Sequence, residues 1–261
     1  MMRKCLSTLA LISLVVVPVL GFRTGPARAD GDGRGAVKLL TTVAIPGTLN
    51  PLRAFDISWL DQDTQLYYLA DRSNASVDVV NARTNSFVKH ITGGFAGVVP
   101  NATGTAANNS LSGPNGVVVS GRWLFVTDAG SRVVTIDLTN DTIVSSVVTK
   151  SSDPLRADEL AYDPDDGILL VVNNADDPPF ATLVSVNKQT GKLTVGKTIT
   201  FSKASTGVDA TNGAEQPVWD PGTRKFYLSI PEIGGPGDGT GPDGAVVRID
   251  PQSGGDRKSV V

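Results

Sequence analysis

The sequence predicts an all-β fold, a β-propeller built from four-stranded blades, and three observations carry that expectation. A short phrase recurs four times: Asp56-Ile57-Ser58-Trp59-Leu60-Asp61, Asn115-Gly116-Val117-Val118-Val119-Ser120, Asp158-Glu159-Leu160-Ala161-Tyr162-Asp163 and Glu215-Gln216-Pro217-Val218-Trp219-Asp220. Each copy opens on Asp, Asn or Glu and reaches Asp or Ser five residues later. The openers stand 59, 43 and 57 residues apart, which suits repeating blades of four strands. Between them, short β-rich runs alternate with Asp, Asn, Gly and Ser turns, and no segment sustains a 3.6-residue period. A β-sandwich or another barrel would also use short strands, but it gives no reason for the cycle to restart four times in similar wording.

Residues 1–29 read as a signal peptide: Arg3 and Lys4 precede an apolar run from Leu9 to Phe22, and Ala27-Arg28-Ala29 resembles a cleavage site. The run is short for a membrane span, so the expectation is an exported protein, periplasmic or extracellular, with no membrane anchor. Residues 30–261 would form the propeller domain. Val37 to Ile45 reads as a lone strand ending at Pro46-Gly47, and in a propeller such a strand would complete the last blade. The first unit is expected at 55–60, 66–70, 77–80 and 87–91, and the second at 116–119, 123–127, 133–137 and 143–148. The third is expected at 159–162, 168–172, 182–186 and 193–199, and the fourth at 216–219, 225–229 and 245–249. Four units and the N-terminal strand make four to five blades. Either the ring is small or a six-bladed ring is truncated at its C-terminus. The turn signal Asp250-Pro251-Gln252-Ser253-Gly254 calls for a following strand and favours truncation.

Composition excludes several function classes. Without the leader, 19 basic residues face 26 acidic ones, a net charge of −7, which is a poor match to nucleic acid. The one cysteine, Cys5, lies in the leader, so the mature chain has neither a disulfide nor a thiol nucleophile. His90 is the only histidine and falls on an expected outer strand, so a Ser-His-Asp hydrolase is not expected.

Propeller topology brings the four openers, Asp56, Asn115, Asp158 and Glu215, to one face together with the loops between second and third strands. The Asp or Ser five positions later falls at a hairpin on the opposite face, where a turn conformation explains it. Like charges gathered round one axis repel, so they need a cation, protonation or solvation. Carboxylates with an Asn carbonyl are hard oxygen ligands, suited to Ca2+ or Mg2+. The bland alternative is that the openers only hydrogen-bond neighbouring loops. Alternation along the strand sends one of Asp158 and Glu159 to the channel, and the repeat register selects Asp158. The run Gly234–Gly244 fits neither an EF-hand nor a phosphate loop and reads as a flexible loop.

Glu215-Gln216-Pro217-Val218-Trp219 resembles the Glu-x-Pro-Val-Trp strand of the gluconolactonase/regucalcin (senescence-marker) family. Gly113-Pro114-Asn115-Gly116 is similar to its Pro-Asn-Gly strand, and Ala157-Asp158 with Leu160 to its Pro-Asp-Gly-Met strand. The resemblance implies a divalent cation held by Glu215, Asn115 and Asp158, with Asp158 also as base and Asp56 replacing a second Asn. The order of the strands departs from the family, whose Glu strand comes early. Trp123-Leu124-Phe125-Val126-Thr127-Asp128 and Val134-Thr135-Ile136-Asp137 equally resemble exported propellers with Tyr-Val-Thr-Asn repeats, often binding proteins without a known reaction. Two expectations follow. One is a Ca2+-dependent hydrolase that opens lactones or related esters, its cation polarising the carbonyl and acidifying a water whose proton Asp158 takes. The other is a non-enzymatic propeller that binds a protein or small molecule on its top face.

Overall fold

The structure, a computed structural model, describes residues 38–46 and 51–260. The chain divides into a unit Met1–Leu40, almost wholly outside those residues, and a compact unit Thr41–Val261. The expected signal peptide lies outside the described residues.

Every expected β-rich run in 55–255 forms a strand, because each is a short run of strand-forming residues bounded by turns, some alternating as in Leu193–Thr200 and some mostly apolar and buried as in Trp123–Asp128 and Ile168–Asn173. Blade 1 contains β1 (Phe55–Asp61), β2 (Leu66–Asp71), β3 (Ser76–Asn81) and β4 (Ser86–Thr92). Blade 2 contains β5 (Val117–Ser120), β6 (Trp123–Asp128), β7 (Arg132–Asp137) and β8 (Thr142–Val148). Blade 3 contains β9 (Leu160–Asp163), β10 (Ile168–Asn173), β11 (Phe180–Val186) and β12 (Leu193–Thr200). Blade 4 contains β13 (Glu215–Asp220), β14 (Lys225–Ile230), β15 (Ala245–Ile249) and β16 (Asp256–Val260). Each blade is an antiparallel sheet in chain order, and a single 3-10 turn, Asn109–Leu111, is the one helical element among the described residues. The fold is a β-propeller.

The blades pack face to face. Val77, Val79 and Ile91 of blade 1 meet Val117, Leu124 and Ile136 of blade 2. Phe125 of blade 2 tilts against Tyr162 of blade 3, and Leu170 and Val172 of blade 3 meet Phe226, Leu228 and Val247 of blade 4. Burying such side chains contributes about 1.5–3 kcal/mol each, which is what holds sheets with no mutual backbone ladder together. The inner strands β1, β5, β9 and β13 succeed one another round the axis.

The turn residues behave as expected. Asp61, Asp163 and Asp220 each accept the N–H two residues on, at 3.1, 2.9 and 3.0 Å. One expectation of a strand is corrected. Residues 38–46 form no strand, and the Pro46 carbonyl accepts from Nε2 of His90 in blade 1 at 2.9 Å. The strand that the 250–254 turn calls for is present as β16, paired to β15, so blade 4 has all four strands. The Gly234–Gly244 run is also more ordered in purpose than a flexible loop: it is wrapped around the carboxylate of Glu232.

Candidate functional site at the channel mouth

All four blades share a local irregularity at the openers. In blades 1 and 4 the register slips by one residue after Phe55 and after Glu215. In blade 2, Asn115 N–H donates to Thr127 O while Thr127 N–H donates to Gly116 O, and Asp158, Glu159 and Val172 repeat the pattern in blade 3. Two inner-strand residues therefore oppose one on the next strand, a β-bulge in each blade, which re-aims side chains. The bulge explains why both Asp158 and Glu159 are buried inside, at 3% and 6% exposure. The expected selection of Asp158 alone fails because strict alternation is interrupted at this point.

Close approach of the inner strands is secured by Gly116. A Cβ there would lie 2.5 Å from Leu160 Cδ2 and 2.6 Å from the Asp158 carbonyl oxygen, so any side chain would force blades 2 and 3 apart. The Thr127 hydroxyl donates to that same carbonyl, and Ile57 N–H donates to Asn115 O at 3.1 Å.

The structure brings Asp56, Asn115 and Asp158 together around Arg72, a residue the sequence reasoning missed. Arg72 directly follows β2. Its guanidinium donates to Asp56 Oδ2 and, from Nε at 3.0 Å and Nη2 at 2.6 Å, to Asn115 Oδ1. It also lies 4.0 Å from Asp158 Oδ1. Asn115 Nδ2 donates to Ala157 O at 2.7 Å. A second missed arginine, Arg156, pairs with Asp158 Oδ2 at 2.8 Å and donates from Nε to Asn174 Oδ1 at 3.1 Å. Asn174 Nδ2 then donates to Glu215 Oε1 at 2.8 Å. A polar belt thus runs from blade 1 to blade 4. The available signal was the presence of two basic residues among openers and loops otherwise rich in Asp, Asn and Glu.

Electrostatics follow from burial. Asp158 is raised to about 7, because withdrawal from water outweighs Arg156 and is reinforced by Asp56 and Glu215, with Arg72 pulling the other way. Glu159 is raised to about 9, by burial first and then by the charge of Glu215, with which its carboxyl shares a hydrogen bond. Asp56 is also raised by burial, against Arg72 and Arg156. Asp158 Oδ1 and Glu159 Oε2 are buried without a hydrogen-bond partner.

A divalent cation does not fit this donor set as arranged. Arg72 already takes Asp56 Oδ2 and Asn115 Oδ1, Arg156 takes one oxygen of Asp158, and a guanidinium beside the axis repels a second cation. Among the described residues, no three His, Cys, Asp or Glu side chains group as a metal site.

In fold the chain is similar to a protein from Lactobacillus plantarum, at 17% identity and TM-score 0.59, covering 88% of this chain and 61% of that one. It is similar to the β-propeller domain of Cps50 (Swd1) from Myceliophteria thermophila, at 12% identity and TM-score 0.53, covering 83% and 58%. It is also similar to a Bacteroides uniformis protein provisionally described as a 6-phosphogluconolactonase, at 16% identity and TM-score 0.50, covering 76% and 54%. The chain spans about half to three-fifths of the length of these proteins. Identities this low carry the fold and leave the chemistry to the site. No protein-family model matches the sequence, and no curated protein matches it.

Proposed function

We propose that the channel mouth is a hydrolytic site that opens lactones or related esters, with Asp158 as the base. One observation carries the reading: the Asp158 carboxyl is buried, holds one oxygen on Arg156, and presents the other without a hydrogen bond 4.0 Å from Arg72, with an affinity for protons near neutrality. Perturbed carboxyls of this kind concentrate at functional sites. In this reading Asp158 takes a proton from water as the water oxygen bonds to the acyl carbon. Arg72 stabilises the oxygen that gains charge, a role for a fixed donor in a site of low dielectric. The ring C–O bond then breaks and the proton passes from Asp158 to the leaving oxygen, giving the hydroxy acid. The described likeness to a 6-phosphogluconolactonase is compatible with this substrate class and contributes only through the fold.

Two parts of the reading are separate proposals. Export rests on the leader at 1–29 and is tested by the N-terminal sequence of the protein recovered from cell fractions: retention of Met1 overturns it. Calcium dependence would require Arg72 to leave Asp56 and Asn115, so no step above passes through a cation.

The second reading, a binding propeller without turnover, is favoured by the belt itself. Arg72, Asn115 and Asn174 use their donors to join one blade to the next, and Arg156 ties Asn174 to Asp158 within blade 3. Acid release from a panel of five- and six-membered lactones decides between them. Turnover that is lost in Asp158→Asn, with an unchanged melting curve, supports the hydrolase; no turnover on any lactone leaves the binding reading.

A further inference from the structure

Below the arginine belt, the propeller axis holds two adjoining cavities that the hydrolytic reading does not use. The one nearer the openers, of about 220 Å3, is walled by Glu159, Trp59, Val118, Leu160, Gln216 and Pro217 among others. The one toward the turns, of about 370 Å3, is walled by aromatic and aliphatic side chains that include Trp59, Tyr162 and Trp219. Trp59, Val118, Leu160, Pro217 and Val218 belong to both walls. Their combined size and apolar lining match a small-molecule site, which is mostly hydrophobic with a few placed polar groups.

Two polar atoms in these walls are buried and have no partner: Glu159 Oε2, on a side chain more than nine-tenths buried, and Trp219 Nε1. Buried polar atoms are satisfied in the great majority of cases, and exceptions call for an explanation such as a ligand. The charges are also unbalanced at this end. Arg72 and Arg156 are committed to Asp56, Asn115, Asp158 and Asn174, while Glu159 and Glu215 meet each other and no basic side chain among the described residues.

We propose that the axial cavity binds an organic amine, its ammonium group against Glu159 and Glu215 and its flat apolar body against Trp59, Tyr162 and Trp219. An ammonium supplies the donors that Glu159 lacks and the positive charge that the Glu159–Glu215 pair lacks. Aromatic walls favour a cation with an apolar body over a bare inorganic ion, because the rings gain both burial and cation–π attraction. The site is separate from the hydrolytic reading and does not depend on it.

The test uses the intact protein at pH 8, with phenethylamine and its neutral counterpart 2-phenylethanol followed by tryptophan fluorescence and calorimetry. The expected result is at least tenfold tighter binding of the amine, with a shift in emission from the two tryptophans in the wall. Glu159→Gln, which keeps the shape and removes the carboxyl that can ionise against the ammonium, is expected to cut the amine preference severalfold without weakening the alcohol. Trp59→Ala should weaken both compounds by a similar factor. Equal affinities in the unaltered protein, binding of neither compound, or an amine preference undiminished in Glu159→Gln would each overturn the proposal. The first comparison needs no variant, so a folding defect in Glu159→Gln cannot rescue or hide it.

Discussion

Glu232 and Glu159 are both withdrawn from water at the same end of the blades, and their surroundings push them in opposite directions. Glu232 Oε1 accepts from the Thr211 hydroxyl at 2.6 Å and Gly237 N–H at 2.5 Å, while Oε2 accepts from Gly239 and Gly241 N–H at 2.9 and 3.0 Å. The Thr211 hydroxyl, helped by the backbone amides, holds this carboxyl below the usual glutamate range. Glu159 has no comparable set of donors, and burial with Glu215 beside it raises it to about 9. One acid is therefore a fixed centre around which a loop is built, and the other is left with an unmet demand. The difference lies in the neighbours: a loop that supplies amide donors makes a buried carboxylate structural, and a ring of other acids makes it reactive or ligand-hungry.

The contrast can be broken from either side. The largest effect is expected from Glu232→Ala, which strands three glycine amides and the Thr211 hydroxyl in the interior. Melting temperature should fall by roughly 5–10 °C, and amide exchange at Gly237, Gly239 and Gly241 should accelerate, with lactone turnover unaffected at temperatures where the variant is folded. The sign with pH is that of a lowered carboxyl. The stabilisation is present above the unfolded glutamate pKa and is lost as pH falls through the depressed folded value, so protection of these amides should disappear only in acid.

Next comes Asp158→Asn, which keeps the shape of the mouth and removes the base. Lactone opening should drop by at least about a hundredfold, in line with general-base contributions of 10²–10⁴, while the melting curve stays in place. In the unaltered enzyme, activity should rise with pH through about 7 as Asp158 ionises. A profile flat between pH 5 and 9 would remove Asp158 from the mechanism.

A smaller effect of opposite sign is expected from Glu159→Gln. A raised carboxyl favours the folded state at low pH, and that advantage is lost as pH climbs from the unfolded value towards about 9. Glutamine has no such dependence, so the variant should gain roughly 1–3 kcal/mol on the unaltered protein by pH 8 and match it near pH 4. Denaturant unfolding at the two pH values reads this directly. The smallest expected effect is none: a chelator should leave both melting temperature and turnover unchanged, because guanidiniums stand where a cation would. A calcium-dependent rise in melting temperature would mean that Arg72 yields its place, and would restore the cation to the site.

Much of this architecture is legible in the repeats. The five-residue spacing from opener to turn residue places Asp56, Asn115, Asp158 and Glu215 on one bulge position in four blades, and places Asp61, Asp163 and Asp220 in hairpins on the other face. Strand positions follow from local alternation and turn chemistry, which neighbours in sequence decide. What local pattern does not contain is the bulge itself. It adds one residue to one strand, which interrupts the alternation at that point and turns Glu159 inward beside Asp158.

The sequence by itself determined the β-propeller, its four repeated units and the gathering of their opening residues at one end, because short-range periodicity and repeat spacing encode them. Only the tertiary structure decided what those residues meet. Arg72 stands 16 positions from Asp56 and 43 from Asn115, yet it joins them. Glu232 collects amides from a glycine run that seemed free of purpose in one dimension. Whether a buried acid is neutralised, satisfied or left wanting depends on groups brought within about 3 Å by packing, and sequence distance carries no record of that.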